Sequence, residues 1–402
     1  MITKGQKTMK FSKITAVLAA AIMMFSFAAC GNNFDNDGAA DADKTSVSEP
    51  APMRDIPSTE LVKEMKVGWN LGNTLDSTIT NPKGTELPSD WETAWGQPVT
   101  TKAMIDSVAA QGFNVLRVPI TWEGKFGEGP DYTIDPDWLA RVNEIVDYGI
   151  DNDMFVIINV HHEEWHMPTY ENEAAAQEIL TALWSQIADH FKNYNEKLIF
   201  EGLNEPRLKG TPMEWNGGND EARDVINHWN AAFVETVRNS GGNNKLRHLM
   251  VTPYAASSMD KVLNDFAVPD DDKVIVSIHA YLPYTFALAD NAQATTEWSA
   301  DNPADTNDID MLMANLKDRY LDKGRAVIIG EMGTRNRMNT EARAQCARYY
   351  SEAAHNAGIP ICWWDNNAFV GGGENFGLFD RKTFEWRYPD IISALMAPFT
   401  EE

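Results

Sequence analysis

Eight short apolar runs that end in polar or aromatic residues recur along the chain and constrain its fold more than any other feature. They are rich in Val and Ile and are continuous rather than alternating, which is typical of parallel strands covered on both faces. The runs are VGWNLGN from Val67, NVLRVP from Asn114, FVIINVHH from Phe155, LIFEGLNEP from Leu198, HLMVTPY from His248, VIVSIHAY from Val274, AVIIGEMG from Ala326 and IPICWWDN from Ile359.

Helical patterns fill the segments between these runs. The clearest is AAAQEILTALWSQIADHFKNY, in which Ile179, Leu183, Ile187 and Phe191 recur at every fourth residue and form one apolar face. Strand and helix therefore alternate along the whole chain. We predict a (β/α)8 TIM barrel of the α/β class, folded as a single domain over residues 54–402.

Composition and charge restrict the partners of such a domain. The formal net charge is -25 and no basic run compensates it, so we expect no nucleic-acid partner and repulsion from polyanions such as pectin or phospholipid head groups. A neutral small molecule or polymer is the expected ligand, and a monomer the expected state. Cys346 and Cys362 are too few for a disulfide framework, and their spacing leaves open whether they pair.

The amino terminus has the pattern of an export signal. Lys10 and Lys13 precede ITAVLAAAIMMFSFAA, an apolar run that is short for a membrane span and is followed by Cys30. This cysteine resembles the one that bacterial lipoproteins acylate, so we predict a lipoprotein-type signal over 1–30 and an extracellular or cell-surface protein. Secretion without a lipid is the alternative. The polar, acidic segment 31–53 predicts a disordered linker.

Polar side chains gather where the predicted strands end. In a (β/α)8 barrel the carboxyl ends of the strands meet at one face, and the chemistry lies there. A single polar residue at a strand end can simply meet water, but many together predict one functional cleft. We therefore expect both carboxylates of IFEGLNEP, Glu201 and Glu205, to face a wet cleft rather than a core. The candidates are Asn73, Arg117, His161, His162, Asn204, Glu205, His279, Tyr281, Glu331 and Trp364.

Two of these residues form a predicted catalytic pair. Glycoside hydrolysis needs two carboxylates that face one cleft, because one protonates the leaving oxygen while the other attacks or activates water. Glu205 and Glu331 end separate strands and fit this requirement. Asp365 also lies at a strand end, but it follows two tryptophans and can bond to neighbouring backbone instead.

Seven motifs in register with the predicted strands resemble the cellulases of glycoside hydrolase family 5, over roughly Val67 to Phe399: GWNLGNTLD, RVPITW, INVHHE, GLNEP, HAY, IGEMG and CWWDN. The resemblance implies a retaining, endo-acting enzyme that cleaves β-1,4-glucosidic bonds of cellulose or related β-glucans. Glu205 would be the acid/base and Glu331 the nucleophile, with no cofactor and no metal. Xyloglucanase, lichenase, xylanase and mannanase activities are the alternatives within the family.

The same resemblance implies supporting roles around the two carboxylates. Arg117 would favour the ionised form of Glu331, and Tyr281 would donate a hydrogen bond to it. Asn204 would bond the sugar 2-hydroxyl. Glu205 would have a raised pKa, because a neighbouring carboxylate disfavours its charge.

Further residues would line the sugar subsites. His161 and His279 would surround the cleaved sugar and orient the two carboxylates, with His162 further along the cleft. Trp364 would offer its ring face to a sugar, while Asn73, with Trp69 beside it, would contact the non-reducing side of the substrate.

Eight of the thirteen tryptophans divide into two groups. Trp184 and Trp229 lie on apolar helix faces and are predicted to be core residues. Two or three of the others are expected to be sugar platforms, drawn from Trp95, Trp122, Trp165, Trp215, Trp298 and Trp363.

Two alternatives belong to other classes of protein. The HHEEWH segment at 161–166 superficially resembles a zinc site. Neighbouring residues on a regular strand point to opposite faces, so His161 and His162 are not expected to bind one ion. The other alternative is a surface lipoprotein that captures glycans without cleaving them, which would have no need for both Glu205 and Glu331.

Overall fold

A computed structural model describes residues 52–400 of the chain. The predicted signal over 1–30, which includes Cys30, and all but the last two residues of the predicted linker 31–53 lie outside the described residues. None of the helices in the described part is both long enough and apolar enough to cross a membrane.

Eight parallel strands close into a barrel in chain order, which confirms the predicted (β/α)8 fold. Each strand lies within one of the eight apolar runs, and each pairs with the next, with the last pairing back to the first. The strands are β1 (Val67–Leu71), β2 (Val115–Val118), β3 (Phe155–Asn159), β4 (Leu198–Glu201), β5 (Leu249–Val251), β6 (Val274–His279), β7 (Ala326–Met332) and β8 (Ile361–Asp365).

Helices occupy the segments between the strands and surround the barrel. They are α1 (Ser58–Leu61), α2 (Pro88–Glu92), α3 (Lys102–Ala110), α4 (Pro136–Asp151), α5 (Tyr170–His190), α6 (Asp220–Asn239), α7 (Asp260–Asp265), α8 (Tyr284–Ala287), α9 (Pro303–Arg319), α10 (Thr340–Ala357) and α11 (Pro389–Met396). Five short 3₁₀ turns lie at Val62–Glu64, Gly242–Lys245, Tyr254–Ala256, Leu321–Lys323 and Ala397–Phe399. A two-stranded hairpin, β9 (Phe379–Asp380) with β10 (Glu385–Trp386), follows the barrel.

Polar side chains set where the long helices begin. The Asp135 carboxylate accepts a hydrogen bond from the N–H of Asp137 at 2.8 Å, and Pro136 occupies the first helical position of α4. Asn219 caps α6 in the same way, accepting from the N–H of Ala222 at 2.9 Å. The predicted helix in the AAAQEILTALW segment is α5, which buries Leu180, Leu183 and Trp184 against the barrel core.

The inside of the barrel is built in layers because side chains alternate along each strand. The layer at the amino ends is apolar and packs against the segment that carries Leu61, Val62 and Met65. The next inward-facing positions, two residues further along, are polar and buried. The apolar layer includes Val115, Ile157, Ile199, Ile275 and Ile328, and the polar layer contains Asn70, Arg117, Asn159, Glu201 and Ser277.

The two cysteines within residues 52–400 are buried free thiols, so Cys346 and Cys362 do not form a disulfide. Cys362 instead packs in the apolar layer of the barrel, where it faces Gly68 of β1. A Cβ atom on Gly68 would lie 2.3 Å from the Cys362 sulfur and 3.0 Å from Cβ of Val115. The layer therefore has no room for a larger residue at this position.

Replacing Gly68 by alanine is expected to lower the free energy of unfolding by about 1–3 kcal/mol, because the added methyl group overpacks the barrel interior. Chemical denaturation followed by tryptophan fluorescence would measure the change. Gly372→Ala is the matched control, since nothing lies within 4 Å of its Cβ position. Equal stabilities for the two variants would contradict this account of the packing.

Candidate active site

Arg117 lies at the centre of the polar layer and is fully buried. Its guanidinium donates to the Glu201 carboxylate at 2.8 Å and to the Glu331 carboxylate at 2.7 Å. It also donates to the side-chain oxygens of Asn204 at 2.7 Å and Asn70 at 2.9 Å. Burial opposes the charge of Arg117, but the two carboxylates outweigh it and raise the pKa of the guanidinium. The residue is a permanent cation beneath the mouth of the barrel.

Glu331, near the end of β7, is held by two donors. Arg117 donates to one carboxylate oxygen, and the hydroxyl of Tyr281 donates to the other at 2.8 Å. Burial and the charge of Glu331 raise the pKa of the Tyr281 phenol well above its usual range, so it stays a proton donor. The structure thus brings Glu331, Arg117 and Tyr281 together as the sequence predicts, with each Glu331 oxygen accepting from one of the two donors.

Glu205 follows β4 and faces the same mouth. His279 Nδ1 lies 2.8 Å from one Glu205 oxygen and 3.5 Å from one Glu331 oxygen. Carboxylate oxygens of Glu205 and Glu331 lie within 4.8 Å of one another. This close approach fits the carboxyl separation of about 5–5.5 Å in retaining glycosidases better than the roughly 6.5–9.5 Å of inverting ones.

The expected rise in the pKa of Glu205 is wrong for the free protein. Burial does raise it, but the hydrogen bond from His279 and the positive charges of His279 and Arg207 outweigh burial, and the pKa of Glu205 falls below its usual value. His279 shows the reverse: burial lowers its pKa, but the charge of Glu331 and the bond to Glu205 raise it. The contact between the two groups therefore favours a carboxylate at Glu205 and a proton on the His279 imidazole.

Asn204 is buried directly before Glu205, and its side-chain oxygen accepts from Arg117. This bond fixes which end of the amide is the oxygen and orients the nitrogen, a donor group, away from the arginine. The main-chain N–H of Asn204 donates to the carbonyl of Val160 at 2.9 Å. Asn204 is therefore held rigidly beside the carboxylate pair.

His161, His162 and Trp364 form an aromatic group beside the carboxylates. The rings of His161 and Trp364 are parallel, with centroids 5.9 Å apart, and His161 Nδ1 bonds Asn159 at 3.0 Å. His162 packs edge-on against His161 at 4.4 Å and against Trp95 at 5.8 Å. Within residues 52–400 no hydrogen bond joins His161 to either carboxylate, so only His279 orients them as predicted.

The expectation that His161 and His162 point to opposite faces of a regular strand, and so cannot bind one ion, is also wrong. β3 ends at Asn159, so the two imidazoles lie beyond the regular strand and their rings turn toward each other. Donor atoms of Asp76, His161 and His162 lie within 4.8 Å of one another, as do those of Glu205, His279 and Glu331.

The surroundings of these two groups favour protons over a metal ion. Both Asp76 oxygens already accept backbone hydrogen bonds, from the N–H of Thr74 at 2.6 Å and that of Asn73 at 3.0 Å. In the second group, donors from Arg117 and Tyr281 hold the Glu331 oxygens. We assign no metal to either group.

Asn73 lies at the mouth beside β1, partly exposed and with a positive φ of 58°. Its main-chain N–H bonds the Asp76 carboxylate, and this turn fixes its position. Trp69, by contrast, is fully buried and donates its indole N–H to Asp365 at 3.0 Å, so the expected substrate contact of Trp69 is wrong. The outward face of the strand, not the cleft, receives this ring.

Asp365 bonds to neighbouring backbone, which was the alternative to a catalytic role for this residue. It is buried, and one of its oxygens accepts from the N–H groups of Leu378 and Phe379 at 2.9 and 3.0 Å. Gly72 lies against this end of β8. A Cβ atom there would come within 2.9 Å of the Trp364 ring, so glycine allows the indole to lie across the cleft floor.

Most of the candidate sugar platforms are core residues instead. Three of the six are buried, since Trp122, Trp363 and Trp298 are at most 4% exposed, and Trp165 is partly buried against the core. Only Trp95, 41% exposed, and Trp215, 56% exposed, present large ring surfaces to solvent. Trp184 and Trp229 are buried as predicted.

The position of Glu201 differs from the one predicted for the IFEGLNEP motif. It does not face the cleft but lies fully buried in the polar layer, where it binds Arg117, Asn159 at 3.0 Å and Ser277 at 2.6 Å. The alternation of side chains along a strand would have predicted this position, because it places Glu201 on the same inward face as Ile199, two residues earlier. The same rule finds Asn159 above Ile157. Arg207, beside Glu205, carried no such periodic signal.

The arrangement suits acid/base and nucleophilic chemistry on an uncharged substrate. One carboxylate accepts hydrogen bonds from two donors, the other is bonded to an imidazole, and both open to the same mouth. Comparison with known proteins agrees. The family model Cellulase (glycosyl hydrolase family 5) matches residues 76–370. The chain belongs to this family.

Several curated relatives match most of this chain. Endoglucanase A of Ruminococcus albus is 47% identical over 364 residues, which cover 89% of this chain and 97% of that protein. Endoglucanase A of Clostridium longisporum is 47% identical over 87% of this chain but 66% of its own length, and cellulase/esterase CelE of Acetivibrio thermocellus is matched over 41% of its length. The chain therefore spans less than two thirds of some relatives.

Solved structures give the same result. A GH5-4 broad specificity endoglucanase from Ruminococcus champanellensis with bound cellotriose superposes with a TM-score of 0.83 at 47% identity, covering 86% of this chain and all of that one. A GH5 family lichenase from Caldicellulosiruptor sp. F32 has a TM-score of 0.81 at 43% identity, with coverage of 87% and 97%.

Replacing Glu201 by glutamine is expected to lower the free energy of unfolding by about 3 kcal/mol, because it leaves the buried Arg117 with one carboxylate fewer. Urea denaturation would measure this loss. Asp270→Asn is the control, since Asp270 is the fully exposed partner of Arg325 and should change stability by less than about 0.5 kcal/mol. A neutral effect at Glu201 would show that Arg117 does not depend on it.

Proposed function

We propose that the chain is a retaining endo-acting glycoside hydrolase that cleaves β-1,4-glucosidic bonds, with Glu331 as nucleophile and Glu205 as acid/base. The observation that carries this proposal is the pair of carboxylates within 4.8 Å at one barrel mouth, one held by Arg117 and Tyr281 and the other by His279. The relatives named endoglucanase support the same reaction class.

In the first step, a Glu331 oxygen forms a bond to the anomeric carbon of the sugar while the bond from that carbon to the glycosidic oxygen breaks. The proton shared by Glu205 and His279 moves from Nδ1 across the 2.8 Å hydrogen bond to Glu205, which passes it to the departing oxygen. Arg117 and Tyr281 favour the carboxylate of Glu331 until it attacks.

In the second step, water replaces the departed sugar. Glu205, now a carboxylate beside His279, accepts a proton from that water, whose oxygen bonds the anomeric carbon as the bond to Glu331 breaks. The proton returns to the Glu205–His279 pair, and Glu331 is again an anion held by Arg117. Asn204 beside the pair supplies a donor for the sugar 2-hydroxyl, a contact that strengthens in the transition state.

The residues around the pair fit a neutral glucan chain. His161, His162 and Trp364 offer aromatic faces and ring N–H groups, and Asn73 offers an amide at the mouth. The exposed rings of Trp95 and Trp215 are the proposed platforms for sugars outside the cleaved unit. Cellulose and related β-glucans are the proposed substrates, and since one chain supplies every residue, a monomer suffices.

Glu331→Gln is expected to lower kcat on β-1,4-glucans roughly a thousandfold or more, because the amide cannot attack. Reducing ends would be measured on carboxymethylcellulose, xyloglucan, barley β-glucan, xylan and mannan, with EDTA present. Glu205→Gln should lose about 10²–10⁴ in kcat/KM on polymers but far less in kcat/KM on aryl cellobiosides, whose leaving groups need no acid in the first step.

Glu164→Gln is the matched control for both changes, because its carboxylate is 76% exposed and pairs with Lys209. It should retain activity on the same polymers. Activity that survives in Glu331→Gln, or equal losses on polymers and aryl glycosides in Glu205→Gln, would overturn the assigned roles. Binding of a polymer without cleavage by the unaltered chain would favour the glycan-capture alternative.

We also propose that the protein is exported and anchored at the bacterial cell surface through a lipid on Cys30. The support is the sequence pattern of basic residues, apolar run and small residues before this cysteine. One lipid-modified terminus would keep the enzyme at the cell while the barrel faces the polymer.

Full-length protein expressed in a bacterial host is expected to incorporate labelled palmitate and to fractionate with membranes. Cys30→Ser should lose the label and appear in the soluble fraction with its glucanase activity intact. An unlabelled wild-type protein in the medium would instead support secretion without a lipid.

A further inference from the structure

Arg207 lies two residues beyond Glu205 in the loop that leaves β4. Its Nη1 donates to the main-chain carbonyl oxygen of Glu205 at 3.0 Å and lies 3.7 Å from a carboxylate oxygen of the same residue. One guanidinium thus contacts both the backbone and the charged group of the acid/base. The first contact restrains where the carboxyl can point, and the second favours its anionic form.

Two contacts keep the guanidinium in this place, and a third anchors one of its partners. Its Nε donates to the Glu214 carboxylate at 3.0 Å, and its plane lies 4.3 Å from the ring centroid of Trp215. Glu214 is itself anchored by the N–H of Gly210 at 2.9 Å. The Arg207 side chain is only 14% exposed, so it differs from a surface arginine that exchanges freely with water.

Glu214 also competes for the charge of Arg207. The stronger hydrogen bond, at 3.0 Å, goes to Glu214, and the longer contact, at 3.7 Å, goes to Glu205. The electrostatic field at the Glu205–His279 pair therefore combines the effect of the nearby Arg207 cation with the opposing effect of the Glu214 anion behind it. Removing either member should change that field, in opposite directions.

We propose that Arg207 is a positioning residue that aims the Glu205 carboxyl and, together with Glu214, sets how tightly the Glu205–His279 pair holds its proton. The proposal deepens the function proposed above and rests on Glu205 being the acid/base. Arg207 itself transfers no proton and needs no contact with the substrate.

Other charged and titratable groups also face the pair from the surrounding elements. Arg117 comes from β2 and Glu331 from β7, and the remaining groups come from loops at the carboxyl ends of the strands. Their identities are unchanged in the variants below, so they set a common baseline. These groups are Arg117, His161, His162, Tyr281, Glu331 and Glu374.

The sign of the effect follows from the charge. Loss of the Arg207 cation makes a bound proton more favourable, so the pair should release its proton at a higher pH. The alkaline limb of kcat/KM, which reports loss of the acid proton, should move upward by on the order of one unit in Arg207→Gln. Glu214→Gln leaves Arg207 uncompensated, so the same limb should move downward.

The experiment measures kcat/KM against pH on cellotetraose for wild type, Arg207→Gln, Arg207→Lys and Glu214→Gln. Arg207→Lys keeps the cation, so its alkaline limb should stay near the wild-type position even where kcat falls because the planar contacts are lost. Arg325→Gln, which removes a cation paired with the exposed Asp270, is the control and should leave the profile unchanged.

A second measurement needs no turnover. Histidine-labelled protein followed by NMR gives the protonation of His279 directly, with Glu205→Gln identifying its signal, and the titration should shift upward in Arg207→Gln. An unmoved limb and an unmoved titration, or shifts in the same direction for Arg207→Gln and Glu214→Gln, would overturn the proposal. If wild type cleaves no β-1,4-glucan, the proposed function fails, while the NMR titration still decides the role of Arg207.

Discussion

The buried ion pair between Arg117 and Glu201 is the interaction on which the rest of the site depends. A guanidinium taken out of water is costly unless anions and acceptors surround it. Here Glu201, Glu331, Asn204 and Asn70 together accept its N–H groups. The cation in turn makes it possible to place Glu331 as an anion at the barrel mouth, since the same charge stabilises both carboxylates.

The polar layer of the barrel links the geometry of the strands to the chemistry of the site. Asn70, Arg117, Asn159, Glu201 and Ser277 come from five different strands whose register the closed sheet fixes. A side chain bonded to several others in such a layer has few alternative rotamers, so Arg117 presents Glu331 in one orientation. The loops above can then differ in sequence without moving Glu331, which suits a fold whose chemistry is placed at strand ends.

The fold could be predicted from the sequence because eight continuous Val- and Ile-rich runs carry a strong signal. The proposed catalytic pair was also accessible, since Glu205 and Glu331 lie at the ends of such runs. The phase of each strand was harder to assign. Glu201 was placed in the cleft because a carboxylate at a strand end suggests solvent, whereas alternation from Ile199 turns it into the barrel. Trp69 was misplaced for the same reason, one residue out of phase with the inward-facing Asn70.

The residues that follow the strands have no sequence periodicity from which their positions could be predicted. His161 and His162 follow the end of β3, so the rule of alternating faces no longer applies to them, and their rings meet. The protonation of Glu205 could not be deduced from a neighbouring carboxylate alone, because the nearest contacts are cations: His279 from β6 and Arg207 from a loop. The pKa of Glu205 depends on charged groups from elements that are far apart in the chain. The direction of its shift is determined only when folding brings these groups together.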